Sequence, residues 1–366
     1  MITGLSYGFH DAAKTIIDLN GNIIYAGHAE RYSRIKNDKN LHPDMPENQG
    51  KIVFYEKPIL KNSRRLYSSQ KMKWNEWRTK SFHHHWSHAA GSYYTRPFAE
   101  EPVCVVIDAI GEWDTCSIWY KKKKVWSRKY PYSLGLFYSA ITKRIGLKPQ
   151  EDEYITMGMA AFGEPIYDLE YLLETNLHKG CGNILPNARN EDIAASAQWL
   201  IENKIIQIMQ KASQYSKSLC YGGGVALNCV ANSKITYLFD NIWIMPNPGD
   251  AGASLGAAAA YLNKPIIFHN RDADQDVLSI LKDFPSVKGV AHCFSSNENT
   301  AKKLIDLGYY ISFSGNLTFK NSHLPKVAVD LPLERLLVET DCPFLSPVPY
   351  RGKSNEPGRA RFVAEK

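Results

Sequence analysis

The sequence predicts an α/β chain in two parts: an internally duplicated α/β domain over residues 1–262, then a partial (β/α) barrel over residues 264–366. Three observations carry this reading. A unit of strand, polar turn and hairpin occurs twice, at Ile2 to Tyr25 and at Val103 to Tyr130. Later in the same part, SLCYGGGVALN and NIWIMPNPGDAGASLGAAAAYL each run from a short strand into a glycine-rich turn and a small-residue helix. Beyond about Asn263 short strands alternate with helices, the pattern of a parallel sheet.

In the first unit, Asn20-Gly21 marks the hairpin, because a two-residue turn there needs φ > 0 at both positions. The second unit reads CVVID, a glycine turn AIGE, strand TCSIWY, a tip at Lys121 to Lys124, and strand VWSRKY. The lysine run is expected to be a solvated tip, since charge runs are usually exposed. In a duplicated fold each first turn would face a shared cleft, where backbone amides can hold phosphate. Ile193, Ala197, Leu200, Ile201, Ile205, Ile208 and Met209 recur at helical spacing, which predicts a helix with a buried face and Asn190 as its cap. After Asn263 the strands are PIIFH, GVAHCF, YYISFSG and LLVETD, with helices through Leu281 and Leu307.

Bulk composition sets the class. A chain of 366 residues that is 44% hydrophobic can bury two cores. The net charge of +7 is spread over many segments and suits an anionic small molecule as well as nucleic acid, so nucleic acid is not expected as a partner. Seven scattered cysteines without a C-x-x-C pair fit a reducing cytoplasm. The start, MITGLSYGFHDAAKTII, lacks the apolar core of a signal peptide, and no apolar run approaches the roughly 20 residues that span a bilayer. A soluble cytoplasmic protein with no membrane partner is expected.

The chemistry concentrates in FHHHWSHAAGSYY. His84 and His88 lie four residues apart, so a helix puts both imidazoles on one face, where they can hold one metal ion. Asp108 ends an apolar strand and Asp250 lies in a G-D-A-G turn, so both can reach the same cleft. Histidine with carboxylate suits Fe(II), zinc or another divalent metal. The plainer reading is a surface patch or satisfied core histidines, and the two aspartates in glycine turns weigh against it.

FHHHWSHAAGSYYTRPF, VVIDAIGEWDTCSIW, YPYSLGLFYSAIT, EYITMGMAAFGEP, LCYGGGVALNCVANSKI and MPNPGDAGASLGAA resemble, in order, the motifs of the NodU/CmcH family of O-carbamoyltransferases. GLSYGFHDAAKTII and AGHAERYSRIKND are similar to its N-terminal motifs. The resemblance implies a duplicated actin-like (ASKHA) fold. It also implies carbamoyl transfer from carbamoyladenylate to a hydroxyl of a sugar, nodulation factor or antibiotic. By the same resemblance His84, His88, Asp108 and Asp250 would be metal ligands, and Gly222, Gly223, Gly224 and Gly252 would lie against the ATP or AMP moiety. His10, in the H-D motif, becomes the candidate general base or acceptor-positioning group, with a structural bond to a phosphate-loop carbonyl as the alternative. Two departures stand out. Ile155 replaces the family's lysine in E-Y-K-V-M-G, and no YrdC-like, donor-forming domain follows, so a YrdC-like protein in trans would supply carbamoyladenylate.

KPIIFHNRDADQDVLSIL, GVAHCFSSNENTAKKLIDLGYYISFSGNLTFKN and PLERLLVETDCPFLSPVPYRGKSNEP resemble the C-terminal half of TatD-family metal-dependent hydrolases, which are TIM-like (β/α) barrel nucleases. The resemblance makes His269, His292 and Asp341 possible ligands of a second metal. The family's H-x-H and its glutamate belong to the other half of the barrel, and no second H-x-H copy precedes Lys264. A poorly supported half-barrel remnant with a partial site is therefore expected. The abrupt join points to a fused gene or an error of DNA assembly, which sequencing across the codons for Tyr261 to His269 would separate. Three functions follow: carbamoyl transfer, a TatD-like DNA hydrolase with an incomplete site, and a non-catalytic nucleotide-binding protein.

Overall fold

A computed structural model describes residues 1–68, 70–71, 80–262, 266–283 and 287–366. They form two compact units, Met1–Tyr261 and Leu262–Lys366. The expected change of character at Asn263 and the start of the second part at 264 lie outside the described residues. Among the described residues no helix is long and apolar enough to cross a membrane.

Unit 1 begins with β1 (Ile2–Ser6), β2 (Ala13–Ile17), β3 (Ile23–His28), α1 (Glu30–Ser33), β4 (Lys51–Phe54), α2 (Pro58–Tyr67), β5 (Lys80–Ser81) and α3 (His84–Thr95). Then come β6 (Val103–Ile107), β7 (Asp114–Tyr120), β8 (Lys123–Lys129), α4 (Leu134–Arg144), α5 (Glu153–Met159), α6 (Asn190–Ala212), β9 (Ser218–Gly222), α7 (Cys229–Ser233), β10 (Asn241–Ile244) and α8 (Asp250–Leu262). The first sheet has the order β3-β2-β1-β4-β5 and the second the order β10-β9-β6-β7-β8. In each, an antiparallel three-stranded meander continues into two parallel strands. Unit 1 is thus one topology used twice, the duplicated actin-like plan.

Two local expectations change. At Asn20-Gly21 only Gly21 has positive φ, at 91°, and the Asp18 carboxylate accepts from the backbone N–H of Asn20 and Asn22, making a longer, side-chain-tied turn. The pair of positive φ values belongs instead to Lys121 (49°) and Lys122 (62°), so the exposed lysine tip is the two-residue turn. Helix α6 buries all seven residues expected on its inner face. Asn190 is its first residue rather than its cap, and donates its side-chain amide to the Ile145 carbonyl.

Unit 2 contains β11 (Ile266–His269), α9 (Asp274–Asp283), β12 (Gly289–His292), α10 (Glu298–Asp306), β13 (Tyr310–Phe313), α11 (Leu324–Val329), β14 (Leu336–Val338) and α12 (Ala360–Ala364). The four strands are parallel in sequence order, a partial TIM-like half-barrel. Strand alternation sends Ala291, Ile311 and Phe313 to the helix side, where they pack with Leu278, Ala301, Leu304 and Val363 in a buried core. The helix side is therefore better supported than a remnant would be. Among the described residues both edge strands, β11 and β14, have a single partner, and the opposite face leaves Ile267 and Leu337 exposed.

Candidate metal centre

His84 opens α3 and His88 follows one turn later, so the two imidazoles project side by side into the interior. Glu112, in the AIGE turn, fixes the start of that helix: its Oε1 accepts from the backbone N–H of His84 at 3.0 Å and from that of Lys57, ahead of α2, at 2.7 Å. Asp108 leaves the end of β6, and its Oδ1 accepts from the backbone N–H of Ala109 at 2.8 Å and of Gly224 at 3.2 Å. That leaves Oδ2 for the histidines. Asp250 is the first residue of α8, where the helix dipole favours a carboxylate. Small residues let α8 approach α3 closely: a Cβ on Gly256 would sit 1.7 Å from the Ser87 carbonyl oxygen and 2.8 Å from the Gly91 nitrogen. This crossing brings Asp250 to the histidine pair.

The four donor atoms surround a common point. His84 Nε2 lies 2.8 Å from Asp108 Oδ2, 3.1 Å from His88 Nε2 and 3.4 Å from Asp250 Oδ1. His88 Nε2 lies 3.2 Å from Asp250 Oδ1 and 3.4 Å from Asp108 Oδ2. Ligands about 2.1 Å from a central ion are about 3.4 Å apart in a tetrahedron and about 3.0 Å apart as octahedral neighbours, so these spacings suit one first-row divalent metal. Protonation fits as well. His88 Nδ1 must donate to the Pro248 carbonyl oxygen 3.0 Å away, which leaves Nε2 as the lone-pair atom of the neutral ring. His84 Nδ1 faces the buried Glu56 carboxylate at 3.8 Å, and Lys61 Nζ donates to the same carboxylate at 2.6 Å.

Without a cation the cluster is a buried charge network. Burial alone would lower the His84 pKa, but Asp250, Asp108 and Glu56 outweigh it and hold it well above the ordinary imidazole range. His88 is raised against its own burial by hydrogen bonds to Asp108 and Asp250. Burial would raise both aspartates, yet the two histidines hold Asp108 well below the carboxylate range and lower Asp250 too. His85, buried beside His84, is pushed well down by burial and pairs through Nδ1 with the Ser117 hydroxyl at 2.7 Å, so it takes no part.

His10 stands at the rim. Its Nε2 is 3.8 Å from Asp250 Oδ2, and its Nδ1 bonds the Asp11 carboxylate at 2.7 Å rather than a backbone carbonyl. Asp11 continues to His28 Nε2 at 3.3 Å, and His28 Nδ1 to Glu30 at 3.4 Å. Sequence reading passed over Asp11, His28, Glu30, Glu56 and Glu112. Glu56 had a visible signal, an acid closing the apolar strand KIVFY as Asp108 closes CVVI.

The glycines divide by role. Gly223 has φ +90° and donates its N–H to the Pro248 carbonyl, while the Gly224 N–H goes to Asp108, so neither amide is left for phosphate. A Cβ on Gly222 would meet the His88 carbonyl oxygen and Ser92 Oγ at 3.3 Å, and one on Gly252 would run into the Asn247 carbonyl oxygen at 1.9 Å. The fold itself requires Gly252. Ile155 lines a groove with Gly158, Met159, Phe162 and Glu191.

In unit 2, His292 Nδ1 bonds Glu339 at 2.7 Å and Nε2 faces Asp341 Oδ1 at 3.4 Å, with the His269 ring centroid 5.6 Å from that of His292. Among the described residues, the groups close enough to share one ion are His84, His88, Asp108 and Asp250, and Asp11, His28 and Glu30. The three residues of unit 2 are neighbours but do not converge.

Residues 44–182 and 174–259 match the family model described as carbamoyltransferase N-terminus, and residues 254–366 match that of TatD related DNase. The uncharacterized protein sll1178 of Synechocystis is 30% identical over 347 residues, spanning 70% of this chain and 56% of its own length. The uncharacterized metal-dependent hydrolase YabD of Bacillus subtilis is 49% identical over 112 residues, spanning 30% of this chain and 44% of its own. The chain thus spans about half the length of the curated relatives it matches. Among solved structures, the activator of the 2-hydroxyisocaproyl-CoA dehydratase from Clostridium difficile, with bound ADPNP, aligns over 71% of this chain and 94% of its own at 15% identity and a TM-score of 0.45.

Proposed function

Since the chain belongs to the carbamoyltransferase N-terminal family, we propose that unit 1 transfers a carbamoyl group from carbamoyladenylate to a hydroxyl of a small acceptor, a sugar or natural product. His84, His88, Asp108 and Asp250 would hold Fe(II) or another divalent metal. One observation carries the reading: a single carboxylate, Asp108, takes the Gly224 amide on one oxygen and faces both histidines with the other. The ligand cluster and the glycine turn are thereby one piece of structure. Bound there, the cation would supply Lewis-acid polarisation of the donor carbonyl.

The chain's own residues do the rest. Asp11 fixes the His10 ring by its Nδ1, turning Nε2 toward the cleft, where it can take the proton of the acceptor hydroxyl as the oxygen bonds the carbamoyl carbon and AMP departs. A YrdC-like protein in trans would make the donor from ATP and carbamoyl phosphate. The test is incubation of metal-loaded protein with those two compounds, such a partner and a panel of hydroxylated acceptors, with mass spectrometry for one added carbamoyl group. Nucleotide and metal binding without any carbamoylated product would favour the non-catalytic reading. Metal-dependent DNA cleavage lost in Asp341→Ala would favour the hydrolase reading.

A further inference from the structure

Unit 2 presents a sheet with one face covered by helices and an opposite face that exposes several apolar side chains. The covered face carries Phe268, Ala291, Ile311 and Phe313 under the helices. On the opposite face Ile267, Val290 and Tyr310 lie in register, while Leu337 pairs with Ser312, two residues further along β13. Ile267 is 75% exposed, Leu337 41% and Tyr310 38%, so apolar side chains on three of the four strands face solvent, while Ser312 beside Leu337 is buried and donates its hydroxyl to Glu339. Above these side chains, toward the C-terminal ends of the strands, stand His269, His292 and Glu339.

Both edges are open as well. Among the described residues β11 pairs only with β12, and β14 only with β13. Both edge strands are short, and IIFH and LLV contain no lysine, proline or bulge. Open edges of this kind can take a partner strand.

We infer that a second copy of this chain supplies it, and that two copies of unit 2 close one eight-stranded (β/α) barrel. The argument is geometric. Four parallel strands in sequence order are half the number of a closed barrel of this type. A two-fold rotation about the barrel axis keeps every strand direction, so β14 of each copy falls beside β11 of its partner in the parallel sense, at two identical seams. The exposed apolar side chains Ile267, Tyr310 and Leu337 then join the packed barrel interior. The mouth gains two sets of His269, His292 and Asp341 facing each other, where a single copy has three side chains that do not converge. None of these residues belongs to unit 1, so the inference stands or falls apart from the carbamoyl-transfer reading.

The test is the mass of the full chain in solution by light scattering across a concentration series, with hydrogen exchange on the same samples. The expected result is a dimer in which the amides of β11 and β14 exchange at least tenfold slower than in the Ile267→Lys/Leu337→Lys variant. That variant should run as a monomer with its unit 1 melting transition kept, because both positions are solvent-exposed in one copy and buried only on closure. A monomer at every concentration overturns the inference. So does a dimer that survives both lysines, which would be joined elsewhere, and so does a ladder of larger species, which would mean open-ended edge pairing.

Discussion

Asp108→Asn separates metal binding from folding in unit 1. The asparagine oxygen can still accept from the Ala109 and Gly224 amides, so the turn after β6 is kept. The other position becomes an NH2 group 2.8 Å from His84 Nε2, with no lone pair for a cation. Loss of an outer-shell partner alone costs about 10- to 100-fold in metal affinity, so loss of a charged ligand should reach about 100-fold at least. At metal 1,000 times above the wild-type dissociation constant, binding adds about 4 kcal/mol to stability; after a 100-fold loss it adds about 1.4 kcal/mol. For a domain of this size the difference of about 2.7 kcal/mol is on the order of 5–10 °C in melting temperature. The metal-free variant should still fold at neutral pH, because His84, relieved of one carboxylate, can release its proton rather than stay buried and charged. The assay is thermal unfolding of chelator-treated and metal-loaded samples, with elemental analysis of bound metal. Equal metal content and equal metal-induced shifts in variant and wild type would refute the ligand assignment, as would a wild-type protein whose melting responds to no divalent metal.

The pH dependence has a definite sign. In metal-free protein the raised His84 and His88 stabilise below the ordinary value of 6.5, and that contribution fades as pH rises through their folded values; the lowered Asp108 and Asp250 stabilise above 3.8 and fade as pH falls through theirs. Metal-free stability should therefore peak between those limits, while metal affinity climbs with pH above 6.5 as the imidazole protons leave, measured by chelator competition; a flat affinity counts against the histidines. His10→Ala should lower the carbamoylation rate by about 10²- to 10⁴-fold while metal and nucleotide binding persist, and a normal rate would remove His10 as base. Gly256→Ala should cost about 1–3 kcal/mol in urea unfolding and weaken metal binding in parallel, since α8 must back away from α3 and take Asp250 with it.

What the sequence made legible follows from how local each signal is. The duplicated meander, the inner face of α6 and the alternation of unit 2 are periodic patterns carried by adjacent residues, so reading 3.6- and 2-residue periods recovers them. The His84 and His88 spacing is equally local. Glu112 could not be found that way, because its role is to hold the starts of two helices that lie 55 and 28 residues away in sequence. Gly252 has a packing reason that its neighbours in sequence do not reveal: a Cβ there would lie 1.9 Å from the Asn247 carbonyl oxygen. The hairpin tips misled for a third reason. Asn-Gly favours a tight turn, but the Asp18 side chain offers competing hydrogen bonds, and twist at the second hairpin puts two lysines into positive φ against their preference.

The place where the two families meet has unequal consequences for the two sites. In unit 1 the candidate ligands come from α3, from the end of β6 and from the start of α8. That helix also packs back on the first strand: a Cβ on Gly4 would lie 2.0 Å from the Ser254 carbonyl oxygen, and Thr15 Oγ1 bonds Ser254 Oγ at 2.8 Å. The two family matches overlap at residues 254–259, inside α8, so Asp250 itself lies in the carbamoyltransferase match alone. In unit 2 the join instead removes half of a closed barrel, since its ligand candidates sit on strands that form only one arc. The four candidate donors of the first site thus lie within a single copy of the chain, whereas closure with a second copy would bring a second set of His269, His292 and Asp341 to the other.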